Sequence, residues 1–160
     1  MKLDLILQLG NPQLYEKSAP VKRAELDELK PVFQDLHDII LEFRAKYNAG
    51  RAIAAPQIGV MKRIICWNVE SPKVLINPQL VNMSEELFEL WDDCMSFPNL
   101  LVRLKRHKSC TVRFLDEHWQ AQEWHLTDDL SELIQHEYDH LDGILATQRA
   151  IDNQSFKWRT

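Results

Sequence analysis

The chain predicts an α+β fold. Three observations carry this: apolar residues at helical spacing over 22–48, a succession of strand-like runs between 63 and 126, and a second helix over about 128–141. With 160 residues and 45% hydrophobic content, the chain is expected to form one domain, 1–160, around one core. No repeat, linker or low-complexity run interrupts it.

In the first helix, Leu26, Leu29, Val32, Phe33, Leu36, Ile39, Ile40 and Phe43 recur at helical spacing. Pro31 lies inside this stretch, where it lacks an N–H and is expected to kink the helix or mark its start. Strand candidates follow at 63–69, 73–82, 86–91 and 110–116. Asp116-Glu117-His118-Trp119 turns the last of these into 120–126 as a hairpin. In the second helix Leu130, Leu133, Ile134 and Leu141 supply apolar spacing, with Asp128 or Ser131 to cap its start and Asp142-Gly143 to stop it.

That helix carries His136-Glu137-Tyr138-Asp139-His140. Residues four apart share a helix face, so His136 and His140 can offer two imidazoles to one metal ion. Glu137 stands beside them, where a carboxylate can take a proton from water. An HExxH match alone arises easily by chance. On a buried amphipathic helix, however, inward His, Glu and His are costly without a ligand.

A catalytic metal needs a third protein ligand and an open position. After His140 the chain has no Glu, His or Cys, leaving Asp142 and Asp152. The third ligand is therefore expected upstream, which argues against the thermolysin and metzincin layouts. Cys66 and Cys110 lie in strand-like runs and read as packed core thiols. Cys94, in Trp91-Asp92-Asp93-Cys94-Met95-Ser96-Phe97-Pro98, ends an apolar segment just before a turn and is the preferred candidate.

Three blocks, in order, resemble the peptide deformylase family. Gly50-Arg51-Ala52-Ile53-Ala54-Ala55-Pro56-Gln57 is similar to GxGxAAxQ, Asp92-Asp93-Cys94-Met95-Ser96 to EGCLS, and Gln135 to Gly143 to QHExDHLxG. Leu7-Gln8-Leu9-Gly10-Asn11-Pro12 extends the likeness over nearly the whole chain. The resemblance implies antiparallel sheets around a central metal-binding helix, with a long N-terminal helix. It implies hydrolysis of an N-formyl group, with Cys94, His136 and His140 holding the metal and water as nucleophile in the fourth position. Glu137 would handle the proton. The Gln57 amide and the backbone N–H of Met95 would donate to the oxyanion. The metal implied is Fe²⁺, with Zn²⁺, Ni²⁺ or Co²⁺ as substitutes.

Several positions depart from the family pattern. Ala52 replaces a glycine and Arg51 an aliphatic residue, in a block whose backbone pairs with substrate. Asp93 replaces the glycine before the metal cysteine, and Asp92 shortens a glutamate whose arginine partner is expected at Arg106. A substrate-contacting arginine of the family falls at Leu101, with Arg103 as the nearby substitute. Glu132 and Asp129 occupy positions that border the methionine pocket, next to Leu133. A pocket lined by Glu132, Asp129 and Asp93 is a poor receptor for a thioether. Either the substrate is a smaller or more polar N-formyl compound, or Glu132 turns outward and Arg51 neutralises what remains.

The net charge of −5 argues against nucleic-acid binding as a main role. The basic run Arg103, Lys105, Arg106, His107, Lys108 reads as a solvated edge. Phe156-Lys157-Trp158-Arg159-Thr160 makes a short tail, which puts ribosome contact in doubt. No apolar run reaches the roughly 20 residues needed to cross a membrane, and Met1-Lys2-Leu3-Asp4 has no signal-peptide pattern. A cytoplasmic protein without disulfides is expected. His37, His107, His118 and His125 read as surface or structural. Two alternatives are a silent relative that binds metal or formylated ligand without turnover, and a metallopeptidase, which cleavage of unformylated peptides would reveal.

Overall fold

A computed structural model describes residues 1–160. Its elements are α1 (Leu26–Tyr47), β1 (Ala52–Ala54), β2 (Ile64–Asn68), β3 (Pro72–Val81), β4 (Leu87–Asp92), β5 (Leu100–His107), β6 (Ser109–Leu115), β7 (Ala121–Thr127), α2 (Asp128–Leu141) and β8 (Phe156–Trp158), with short 3-10 turns between them. One sheet has the order β1-β2-β3-β6-β7 and the other β4-β5-β8, and every pairing is antiparallel.

β2, next to the edge strand β1, has a helix on each face. Its side chains alternate, as a pleated strand requires. Ile64 and Cys66 join Leu36, Ile39, Ile40 and Phe43 of α1 in one apolar cluster. Ile65 and Trp67 join Ile134 and Leu141 of α2 in the other. Removing each such aliphatic side chain from water contributes about 1.5–3 kcal/mol, so the first cluster holds α1 and the second holds α2 against the sheet.

α1 runs through Pro31. The proline is exposed in the second turn, where its ring faces solvent, so it neither starts nor ends the helix. At the start of α2 the expected caps do something else. The N-cap is Thr127, without a side-chain capping bond. Ser131 Oγ instead donates to the His107 carbonyl at 2.8 Å, and Asp128, at φ 53°, donates its N–H to the Lys108 carbonyl at 2.8 Å. Both bonds tie α2 to the end of β5. The stop at Gly143 does use a left-handed conformation, φ 73°, and its backbone lies against Tyr15.

Three strands were not among the sequence candidates: β1, β5 and β8. β5 contains the basic run read as a solvated edge. It is a central strand in which Val102, Leu104 and Arg106 are buried, while Lys105 faces solvent.

β3 carries an irregularity between Ile76 and Gln79. There Asn77 adopts φ 51° and its side-chain amide pairs with the backbone of Val21 in both directions, at 2.8 and 2.9 Å. Asparagine tolerates this left-handed geometry better than most residues.

Candidate metal centre and substrate cavity

β4 ends at Asp92, and a tight turn follows in which the Phe97 N–H donates to the Cys94 carbonyl at 3.0 Å. The turn aims the Cys94 thiol at the buried face of α2. Cys94 Sγ lies 3.4 Å from His140 Nε2, and His140 Nε2 lies 3.2 Å from His136 Nε2. Ligand atoms of all three residues fall within 4.8 Å of one another, and all three residues are buried. Bonds of about 2.0–2.3 Å in a tetrahedron separate neighbouring ligands by roughly 3.3–3.8 Å, so the donor set fits a metal ion with one thiolate and two imidazoles.

A carboxylate orients the first imidazole. His136 Nδ1 is 2.7 Å from Asp92 Oδ2. Because an ionised carboxylate only accepts, Nδ1 carries the proton and Nε2 is left with a lone pair for a metal ion. Burial opposes the charge on Asp92, but His136 and Arg106 outweigh it and hold the carboxyl below its usual range. The ion pair expected between Asp92 and Arg106 forms, at 3.2 Å, despite the shorter arm. Arg106 also reaches Asp139 at 2.7 Å, and Arg149 forks onto Asp139 at 2.6 and 2.9 Å.

Glu137 is buried, and its Oε2 has no hydrogen-bond partner. Burial raises its carboxyl to about 7, a value suited to taking and returning a proton near neutrality. Gln57 sits in the 3-10 turn after β1, where its Oε1 accepts the Ala54 N–H at 3.0 Å. Its Nε2 is thereby turned toward Ser96 Oγ, at 3.2 Å, and Cys94 Sγ, at 3.5 Å. The Met95 N–H donates to no backbone carbonyl.

A cavity of about 540 Å³ opens onto Cys94, His136 and Glu137. Phe43, Val69, Met95 and Leu133 give it an apolar wall, and Arg44, Arg51, Asp93 and Glu132 line the rest. The wall is tight at Gly50, whose φ of 120° few other residues adopt and whose absent Cβ would stand 3.1 Å from the Phe43 ring and 3.2 Å from Met95 Cε. The special backbone of this segment is thus at Gly50. Ala52, two residues on, is buried and extended in β1, so its methyl needs no unusual turn.

Glu132 turns inward. Its side chain is only 13% exposed, with Oε1 3.5 Å from Arg51 and Oε2 without a partner. Burial raises its carboxyl to about 7, and the neighbouring Asp92 adds to the effect. Arg51 makes its shorter contact, 2.9 Å, to the exposed Asp129, which holds the arginine without lining the cavity. Asp93 lines the cavity and is paired with Arg159 of the C-terminal tail.

Leu101 and Arg103 stand outside the cavity lining, contrary to the expectation of substrate contact. Leu101 pairs with Lys157 of β8, and Arg103 is held by Glu89 at 3.4 Å and Asp152 at 3.2 Å. Sequence reasoning did not single out Asp139, Arg149, Ser96 or Arg44. Arg44 donates to the carbonyls of Gly50 and Asn68, tying α1 to the cavity wall. Two of these had a local signal: Asp139 lies inside the HExxH block and Ser96 ends the block around Cys94.

A family model described as polypeptide deformylase matches residues 3–156. The chain belongs to the polypeptide deformylase family. A peptide deformylase of Pseudothermotoga lettingae is 35% identical over 140 residues, covering 86% of this chain and 77% of that one. Peptide deformylase 2 of Xanthomonas campestris is 38% identical over 151 residues, covering 91% and 85%. Among solved deformylase structures, that from Thermotoga maritima superposes with a TM-score of 0.84 at 26% identity, covering 92% of this chain and 97% of the other. A peptide deformylase of Synechococcus elongatus in complex with actinonin gives 0.84 at 28% identity, covering 94% and 80%. The family match extends from the first N-terminal turn to the first residue of β8. No helix of this deformylase-family chain is long and apolar enough to cross a membrane.

Proposed function

We propose that this chain is a metal-dependent deformylase that hydrolyses the N-formyl group of peptides, with Cys94, His136 and His140 as metal ligands. The observation that supports it is the convergence of a thiol and two imidazoles, within 4.8 Å of one another, beside the buried carboxylate of Glu137. When bound, the metal supplies Lewis acidity, making water acidic enough to attack and polarising the formyl carbonyl.

The rest is the work of the chain's own groups. Glu137 takes the proton of the attacking water and returns it to the leaving amine. The Gln57 amide and the Met95 N–H donate to the oxyanion that develops on the formyl oxygen. Asp92 keeps His136 in the tautomer that leaves Nε2 free. The backbone of Gly50–Ala52 lies along the cavity wall, where an extended substrate backbone can pair with it.

One thiolate with two imidazoles suits ferrous iron as well as zinc, and we assign Fe²⁺ as the working metal, with Zn²⁺, Ni²⁺ or Co²⁺ able to substitute. A thiolate ligand fits a reducing, cytoplasmic setting. Residues 1–160 act as one domain, since β2 contributes to both major apolar clusters.

The experiment is formate release. Iron-loaded protein, prepared without oxygen, is offered formyl-Met-Ala and a panel of formylated dipeptides and amino acids, with Glu137→Ala as control. Formate from the parent protein alone supports the reading. No formate from any member, with metal bound at one equivalent, overturns it in favour of a binding relative without turnover.

A further inference from the structure

Glu132, His136 and His140 follow one another at intervals of four on α2 and therefore share a face. One interval is about 6 Å of helix, so Glu132 stands a single turn from the first imidazole. The same cavity reaches Cys94, His136, Glu137 and Glu132. A formyl group set against the three donors leaves the remainder of its molecule in that cavity, with its first side chain in reach of Glu132.

Two of the other acids in this wall have cationic partners. Asp92 is matched by Arg106 and Asp93 by Arg159. Apart from Glu137, the proposed base, whose Oε2 is also without a partner, Glu132 keeps acceptor capacity in hand: Arg51 stands off at 3.5 Å, makes its closer contact to Asp129, and leaves Oε2 with nothing. An apolar or thioether side chain filling the cavity would give this carboxylate no hydrogen bond. A side chain with methylenes to lay on Val69 and Leu133 and a donor at its tip would satisfy both walls.

We infer that Glu132 is a specificity residue, selecting N-formyl substrates whose first side chain ends in a hydrogen-bond donor over those ending in an apolar group or thioether. The inference rests on the deformylase reading and names the substrate class for that site.

The test compares formyl-Gln-Ala with formyl-Met-Ala, whose side chains are close in length, using iron-loaded parent protein, Glu132→Leu and Glu132→Gln. The readout is the ratio of the two kcat/KM values within each protein, which a general loss of folding or metal does not move. The parent is expected to favour the glutamine substrate by roughly tenfold or more, because a site with an unused buried acceptor rejects the analogue lacking a donor. Glu132→Leu reverses the ratio and Glu132→Gln falls between. A parent that favours methionine, or a ratio unchanged in Glu132→Leu, overturns the inference while the deformylase reading stands. No formate from either substrate or from formyl-Gly-Ala brings down that reading, and this inference with it.

Discussion

Asp92 Oδ2 serves two partners at once, accepting from His136 Nδ1 at 2.7 Å and from Arg106 Nη2 at 3.2 Å. Arg106 in turn bridges to Asp139, which Arg149 grips from the surface. The orientation of a candidate metal ligand thus depends on a chain of charges running outward from the site.

Asp92→Ala removes the acceptor that fixes the His136 tautomer. Metal affinity is expected to fall about 10–100-fold, as for other losses of a carboxylate behind a ligating imidazole. Competition with a chromogenic chelator measures it directly; unchanged affinity would show that His136 needs no orienting partner.

Arg106→Met leaves Asp92 and Asp139 buried without their shared cation, although Arg149 still holds the latter. Breaking a buried pair from one side costs about 3–5 kcal/mol. Urea unfolding of the variant should therefore show a large drop in midpoint, with the slope preserved.

Glu137→Gln keeps the shape of the side chain and removes its basicity. Metal content is expected to hold at one equivalent while formate release falls about 10²–10⁴-fold. A variant with near-parental turnover would require another base.

Glu132 gives a pH signature in stability. Its folded carboxyl is raised to about 7, against 4.5 ordinarily, so the folded state binds the proton more tightly than the unfolded chain. Between these values the unfolded state carries fewer protons, and stability declines as pH rises from about 4.5 to about 7. Glu132→Gln is expected to flatten that decline by on the order of 2 kcal/mol. The check is the difference in urea midpoints between parent and variant at pH 5 and pH 8, with the gap opening only at the higher pH.

Gly143→Ala tests the packing at the end of α2. A methyl there would meet the Tyr15 carbonyl oxygen at 2.5 Å, and φ is 73°. Neither backbone can yield cheaply, so a loss of about 1–3 kcal/mol is expected, read as a lower melting temperature.

Where pattern is local, the sequence was legible. α1, the β6–β7 hairpin and α2 each advertise themselves within one window of apolar spacing, and two of the three motif blocks carried the ligand candidates. β5 hid because Arg103, Lys105 and Arg106 look like a solvated run. Arg106 points inward to Asp92, the partner that the resemblance implied, and to Asp139, 33 positions away, which no local pattern links to it. The direction of Glu132 was equally hidden, since it depends on Arg51, which reaches α2 across the cavity from the start of β1. β1 is only three residues long, too short to show a period.

α2 carries His136, Glu137 and His140 on buried turns, while Glu132 lies one turn toward the helix start and touches none of the donor atoms. Hydrolytic power and choice of substrate are therefore written at different addresses on a single rigid rod. On the inference above, a change at position 132 alters which formylated molecules this chain prefers while the metal ligands and the base stay where they are.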